Sequence, residues 1–243
     1  MLSVYLKEVN AFFSSLIGYV VIGVFLVIMG LIMWVFQATS LLNYDFATLD
    51  QLFDIAPMIF VFLIPAITMR SFAEEQQIGT IEMLATRPVS DLQIVLGKYL
   101  ACLTLVVFAL VPTLVYYYTV HQLGSPVGNI DSGAIMGSYF GLIFLGGTFV
   151  AIGMFASSLA KDQVVAFVLA TFLCFLMHWG FQFFSELPIF FGKNDLLVQK
   201  FGVDFHYVSI SRGVIDSRDV LYFLSVIALF IALTLTSLER RKW

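Results

Sequence analysis

Few residues of this sequence have side chains that could do chemistry, and their spacing favours no catalytic or metal site. The histidines His121, His178 and His206 stand far apart and both cysteines lie in apolar runs, so no zinc-ligand spacing occurs. No serine-nucleophile or H-E-x-x-H motif is present. Gly97-Lys98 lacks the earlier glycine and the following Ser or Thr of a nucleotide-binding phosphate loop. We therefore expect no catalytic residue, metal ligand or cofactor in this chain.

Residues 70–98 carry the strongest local pattern. Gly79-Thr80 can break and restart a helix, because Thr80 is a good N-cap and Glu82 in the first turn suits the helix dipole. Pro88 then ends that helix, since the residue before a proline is pushed out of the helical region. The pattern predicts a short helix over residues 80–86. The alternative is an ordinary connecting loop, although the stretch is long for a helix–helix connection.

Capping boxes stand on both sides of this predicted helix. Ser71-x-x-Glu74 precedes it, and Ser90-x-x-Gln93 follows it. The second box is expected to open the helix that becomes the third apolar span.

The composition shows what surrounds these residues. Of the 243 residues 60% are hydrophobic and only 12% are charged, whereas soluble domains contain about 25% charged residues. The mean hydropathy of +0.98 agrees. These values exclude a soluble enzyme, a disordered chain and a disulfide-stabilised secreted domain. No basic patch is present that could bind nucleic acid. The sequence is that of an all-α polytopic membrane protein.

Six stretches approach or reach the roughly 20 apolar residues that cross a bilayer as a helix. They are expected at residues 16–36, 52–69, 99–120, 134–159, 164–185 and 220–238. The second is short, contains Pro57 and Pro65, and reaches back to 52 only if Asp54 lies at the interface. The other five contain no Asp, Glu, Lys or Arg.

Lysine and arginine predict the orientation, because cytoplasmic loops are enriched in them. With both termini in the cytoplasm, eight of the 12 basic residues lie inside and four outside. All four outside lie in one outer segment, residues 186–219, and the two shorter outer loops contain none. The uncharged run of the first span is too long for a signal peptide, so we expect this span to be retained.

Residues 1–15 are predicted to form an amphipathic helix in the plane of the inner interface. Ser3, Lys7, Asn10 and Ser14 form one polar stripe at helical spacing. The alternative is an extension of the first span.

Inside the spans, three further signals concern packing. Gly153-x-x-x-Ser157 and two similar pairs in the fourth span allow close helix packing, which we expect within the bundle in preference to a subunit contact. Pro112 predicts a kink in the third span. His178 is expected to be neutral and hydrogen-bonded to a neighbouring helix, with a ligand or proton role as the alternative.

The pattern of residues 70–98 resembles the cytoplasmic coupling helix of ABC-2 type transporter permeases. The matching residues are Glu74-Glu75, Gly79-Thr80, Glu82-Met83-Leu84 and Pro88. In that family the coupling helix lies between the second and third spans, where it falls here. The layout agrees as well, with an interfacial helix, six spans, a very short connection at 160–163 and a long outer segment. The resemblance implies one ABC-2 type transmembrane domain over residues 1–243.

Towards the C-terminus, the sequence resembles the gliding-motility-associated subgroup of these permeases. The matching residues are Phe205-His206-Tyr207, Ser211-Arg212-Gly213-Val214-Ile215-Asp216 and Arg218-Asp219-Val220-Leu221-Tyr222. This resemblance implies a role in surface gliding of bacteria and an accessory membrane protein with an extracytoplasmic domain. It also implies short helices that dip into the outer leaflet at 186–219. On composition alone this segment could equally be a small extracytoplasmic cap.

The family resemblance implies the permease subunit of an ATP-driven exporter in the bacterial inner membrane. A second permease chain would complete a homodimer, and a separate ATPase subunit would bind at residues 70–98. ATP and Mg²⁺ would lie on that ATPase, with no cofactor in this chain. The residues expected to bind the ATPase are Glu74, Glu75, Gly79, Thr80, Glu82, Met83 and Leu84.

Two other functions remain open on the sequence. The first is a membrane anchor or force-transmitting subunit that moves with its ATPase and exports nothing. The second is a secondary carrier, which the uncharged spans disfavour because such carriers keep charged groups in the bundle for ion coupling.

Overall fold

The computed structural model is a bundle of α-helices, and it describes residues 1–37, 39–43, 46–79, 90–188 and 195–240. No strand occurs among these residues, which confirms the all-α class. The helices are α1 Leu2–Ser14, α2 Leu16–Gly30, α3 Asp50–Thr68, α4 Arg70–Gln77, α5 Asp91–Leu110, α6 Leu114–Leu123, α7 Ser132–Leu159, α8 Gln163–Phe175, α9 Phe181–Ser185, α10 Asp195–Gln199, α11 Val203–Ile210 and α12 Ser217–Arg240.

Six helical stretches are long and apolar enough to cross a membrane, which confirms the predicted number of spans. They run Gly18–Val35, Asp50–Gln77, Asp91–Leu123, Ser132–Leu159, Gln163–Ser185 and Ser217–Arg240. Helical hydrogen bonding continues beyond the apolar part of several spans. The helices thus include charged residues outside the predicted apolar stretches, such as Lys98 in the third span and Arg240 in the sixth.

The bundle has two distinct ends. Gly79 and Ser90, the residues on either side of 80–89, define one of them, called here the loop end. α1 and the C-terminal part of α12 lie at the same end, where Lys7 approaches Glu75 and the Ser237 hydroxyl donates to the Ser158 carbonyl. The opposite end, called the far end, carries α10 and α11. The sequence predicts that the loop end faces the cytoplasm.

α7 lies at the centre of the bundle and packs against α3, α5, α8 and α12. Its glycines make this close packing possible. A Cβ at Gly147 would lie 2.8 Å from the Tyr99 hydroxyl, and a Cβ at Gly153 would overlap the Thr68 hydroxyl. Since both neighbours belong to the same chain, the predicted packing of the fourth span within the bundle is confirmed.

Several span helices change their hydrogen-bond pattern part-way. Pro112 lies in a 3-10 turn, Val111–Thr113, which separates α5 from α6. This agrees with the predicted kink, because proline removes a backbone donor. The π-helical turns Leu31–Val35 and Leu176–Gly180 continue α2 and α8. α3, in contrast, continues through Pro57 and Pro65.

α1 is a separate helix that precedes the first span. Ser15, at φ −94° and ψ 138°, is extended and ends it. The predicted polar stripe is exposed, whereas Phe12 is buried and packs into the core. The contacts of α1 are with α5 and α2.

Candidate functional site

The loop end contains the part of the predicted partner-binding site that the structure describes. Glu74 and Glu75 lie in the last turns of α4, and Gly79 follows that helix. Thr80, Glu82, Met83 and Leu84 lie outside the described residues, as does the whole predicted helix at 80–86. The structure therefore describes the site through the two segments that border residues 80–89. These segments, called here the flanks, are α4 with Gly79 on one side and Ser90 with the start of α5 on the other.

Gly79 ends the first flank in a backbone conformation that suits glycine. Its φ is +75°, a region that residues with a Cβ rarely adopt. The Ile78 amide donates to the Glu74 carbonyl, and the Gly79 amide donates to the Gln76 carbonyl at 3.3 Å. These bonds satisfy carbonyls of the last turn, as a glycine after a helix commonly allows.

Glu74 forms an ion pair within its own helix. The Arg70 Nε and Nη2 atoms donate to the two carboxylate oxygens, each at 2.9 Å. Such a bidentate pair is stronger and more directional than a single contact. The Glu74 carboxylate, which was predicted to bind the ATPase, is thus already paired with Arg70 in this chain.

Lys98 lies at the centre of a buried charge cluster that joins three helices. Its Nζ atom is 2.9 Å from Glu8 Oε1 of α1, 2.9 Å from Glu75 Oε1 of α4 and 2.7 Å from the Ser71 carbonyl. Only 3% of the Lys98 side chain is exposed. An ammonium has three donors, and these three acceptors match them. Lys7 extends the cluster, with its Nζ atom 3.5 Å from Glu75 Oε1.

Sequence reasoning missed the role of Lys98, which it considered only for the orientation of the chain and for a phosphate-binding loop. A signal was nevertheless present. The buried residues Ile94, Val95, Cys102 and Leu105 share a helical face with Lys98. A lysine on the buried face of a helix must find acceptors inside the protein, because an unpaired buried charge is very costly. The position of Glu8, 90 residues earlier in the chain, could not be derived from that pattern.

Ser157 of α7 occupies the joint between α3 and α4. Its hydroxyl donates to the Met69 carbonyl at 2.9 Å and accepts from the amides of Phe72 at 3.0 Å and Ala73 at 3.1 Å. A serine hydroxyl has one donor and two acceptor positions, so all are used. A side chain that enters the backbone ladder in this way interrupts the hydrogen bonding of the helix. Ser157 therefore holds the backbone at the point where α3 ends and α4 begins.

The predicted capping box at Ser71 is wrong. α4 follows α3 with Met69 still in the helical region, so Ser71 lies inside a nearly continuous helix. Its side chain is buried, with Oγ 3.6 Å from Cys102 Sγ of α5. The N-cap half of the box at Ser90 is confirmed, because the Ser90 hydroxyl accepts from the Gln93 amide at the start of α5.

At the far end, three of the residues that resemble the gliding-motility subgroup, His206, Tyr207 and Asp219, form hydrogen bonds within the bundle. His206 Nδ1 is 2.7 Å from Asp219 Oδ1, and Nε2 is 3.0 Å from the Lys200 carbonyl. The His206 ring stacks on Tyr222 with 3.9 Å between the ring centroids. Tyr207 donates to the Phe53 carbonyl at 2.7 Å. These contacts hold α11 against the sixth span and the start of α3.

His178 does not form the expected hydrogen bond. Its Nε2 atom is 3.6 Å from Asp204 Oδ1, beyond hydrogen-bond distance, and its Nδ1 atom has no partner among the described residues. The ring packs edge-on against Phe149, Trp179 and Tyr207. Burial raises the pKa of the Asp204 carboxyl at the far end. No cluster of potential metal ligands occurs in the described part of the chain.

Comparison with known families identifies the bundle. The sequence pattern of the ABC-2 family transporter proteins matches residues 36–192, which is more than half of the chain. The chain belongs to the ABC-2 family. The matched stretch of this ABC-2 protein runs from the end of the first span to beyond α9, and so includes both flanks of residues 80–89. No curated protein matches the chain.

As an ABC-2 family member with six apolar helices, the chain is a multi-pass membrane protein and the permease subunit of an ABC transporter. The family implies a lipid bilayer around the helices and an ATPase as partner. The match ends at residue 192. It therefore does not include residues 205–222, on which the resemblance to the gliding-motility subgroup depends.

Proposed function

We propose that this ABC-2 permease is the membrane part of an ATP-driven exporter, and that a separate ATPase subunit binds at residues 80–89 and their flanks. The observation that carries the proposal is that both flanks are fixed to the bundle by buried polar contacts. Ser157 holds α4 on α7, and Lys98 holds the start of α5 on α4. A movement of residues 80–89 would therefore be passed to the second, third and fourth spans.

In this proposal the ATPase supplies the chemistry and the permease supplies the path. The sequence contains no phosphate-binding loop, so ATP and Mg²⁺ would bind on the partner. Closure of an ATPase pair around ATP would shift α4 and α5 as rigid bodies, a common way to transmit motion between packed elements. No bond is broken by this chain.

The proposed contact residues are those the sequence singled out. Met83 and Leu84 would give the apolar contact, since buried apolar anchors contribute most of the energy of many interfaces. Thr80 would cap the helix after Gly79, and Glu82 would offer it a charge. Glu74 and Glu75 border the contact. A basic ATPase residue would have to share each carboxylate with the partner that it already has in this chain.

We further propose a homodimer in a bacterial inner membrane, linked to gliding motility and to an accessory protein with an extracytoplasmic domain. The support for a dimer is the uneven burial of the spans. Only 22% of the apolar window is buried in the first and sixth spans, against 78% in the fourth. Lipid and a second permease chain would cover the exposed faces. The support for the gliding link is the sequence resemblance, in which His206 and Asp219 are two residues that contact each other in the structure.

The experiment is a pull-down of the ATPase from membranes by tagged permease chains at matched expression. Glu82→Lys combined with Leu84→Asp should abolish recovery of the ATPase while membrane insertion is unchanged, because both residues lie between spans. The matched control is Glu186→Lys with Leu187→Asp, the same residue types at the far end, where both are exposed. Recovery by the control should equal that of the parent chain. Equal recovery by the first variant would show that residues 80–89 are only a connection.

A further inference from the structure

We propose that Lys98 is a positioning residue that holds the N-terminal helix α1 on the two flanks of residues 80–89, so that α1 belongs to the unit that moves with the ATPase. The attachment of α1 follows from the contacts of this chain alone. Its movement with the ATPase rests on the function proposed above. The two parts can therefore fail separately.

The first argument is electrostatic. Glu8 Oε1 and Glu75 Oε1 are each 2.9 Å from the same Nζ atom, so the two carboxylates face each other across one cation. Without that cation, like charges at this separation repel strongly in a partly buried site. With Lys7, which lies 3.4 Å from Glu8 Oε1, the cluster contains two positive and two negative charges among the residues that the structure describes. Lys98 is thus the group that makes close contact between α1 and α4 possible.

The second argument is steric. A Cβ at Gly97 would lie 3.1 Å from Val4 Cβ and 3.2 Å from the Met1 carbonyl oxygen. The backbone of α1 therefore lies directly on α5 at the residue before Lys98. The Tyr5 hydroxyl is 3.1 Å from Thr104 Oγ1, which adds a polar contact two turns further along α5. This close approach brings Glu8 within reach of Lys98.

The third argument concerns what α1 can move. Ser15 is the single residue between α1 and α2, so a shift of α1 acts at once on the start of the first span. Only 22% of the apolar window of that span is buried, whereas 61% is buried in the second and third spans. The first span is thus held loosely by the bundle. α1 is a direct connection between it and the flanks of residues 80–89.

The attachment of α1 can be measured in membranes that contain the chain alone. In a cysteine-free background, Val4→Cys with Gly97→Cys places two thiols on Cβ atoms close to the range that disulfides need. We expect rapid cross-linking in this parent. Lys98→Met should slow it about tenfold, because the two carboxylates lose the buried cation that lies between them. Glu8→Gln, the milder second variant, should slow it about threefold.

A neutral triple variant separates positioning from any other role of the lysine. Lys98→Met with Glu8→Gln and Glu75→Gln removes the buried charges of the cluster and leaves only Lys7, whose side chain is 63% exposed to solvent, so the cross-linking rate should return to within about twofold of the parent. Equal rates in the parent and in Lys98→Met would overturn the attachment. A triple variant as slow as Lys98→Met would overturn the electrostatic explanation of it.

The movement is tested in the complex co-purified with its ATPase. Addition of a non-hydrolysable ATP analogue should change backbone hydrogen exchange in residues 2–14 together with residues 91–98. In Lys98→Met the ATPase should still co-purify, but the change in residues 2–14 should be lost. A retained change would overturn the role of Lys98 in movement. Failure of the parent chain to recover an ATPase would overturn the proposed function and the movement, while the cross-linking result would stand.

Discussion

Removal of the Ser157 hydroxyl is expected to weaken the joint between the second span and α4. In Ser157→Ala, the Met69 carbonyl and the amides of Phe72 and Ala73 lose a partner at a position with no exposed area. A buried polar group left without a hydrogen bond costs about 1–3 kcal/mol. Part of this cost is recovered when carbonyls of the same helix accept the amides of Phe72 and Ala73. We therefore expect a loss of about 2–4 kcal/mol in the free energy of unfolding.

The chain contains its own probe for this measurement. Cys102 and Cys174 are 1% and 0% exposed, so a thiol-reactive dye reports unfolding as they become accessible. The expected loss corresponds to a fall in melting temperature of about 4–16 °C for a chain of this size.

Ser158→Ala is the matched control for Ser157→Ala. Among the residues that the structure describes, the Ser158 hydroxyl bonds to the Phe155 carbonyl of its own helix alone, so its removal should shift the melting temperature little. Equal melting of the two variants would refute the assigned role of Ser157.

Further predictions use the same dye assay or simple biochemistry. Gly153→Ala should destabilise by about 1–3 kcal/mol, because the new methyl group overlaps Thr68. Addition of Thr68→Ala should recover part of this loss, and no recovery would refute the overlap. His206→Phe keeps a ring on Tyr222 but leaves Asp219 without its partner, so a loss of about 1–3 kcal/mol is expected; an unchanged melting temperature would contradict this. Ala85→Cys in a cysteine-free background should react with an impermeant reagent only from the inside, and labelling from outside would overturn the orientation. The purified chain alone should hydrolyse no ATP, and measurable hydrolysis would contradict the proposal that a separate subunit is the ATPase.

The number and type of helices could be predicted because lipid leaves the backbone no alternative. A run of apolar residues such as the fourth span must satisfy its amides within itself, and a helix does so. The close packing at Gly153 was also predictable, because small residues at a spacing of four allow helix backbones to approach. In the same way the N-cap at Ser90 follows from local chemistry alone.

The charge cluster at the loop end could not be predicted in the same way. The contact between Glu8 and Lys98 joins residues 90 apart in the chain, and only the packing of α1 on α5 brings them together. The helix bounds were also too short in the prediction. Charged residues such as Glu75 were assigned to a connection, whereas ion pairing within the protein allows the helix to continue through them. The position of His178 could not be predicted either. It lies in a π-helical turn that holds its ring 3.6 Å from Asp204, and the sequence does not indicate this turn.

The most direct test of the account is site-specific photo-cross-linking in native membranes. A photoreactive amino acid placed at Met83 should cross-link to an ATPase subunit, recognised by mass spectrometry through its phosphate-binding loop. The same amino acid at Leu187, on the far end, is the control and should capture no ATPase. Capture of the ATPase at Met83 alone is the predicted result. Capture at neither position, or equally at both, would contradict the claim that this ABC-2 permease receives its ATPase at residues 80–89.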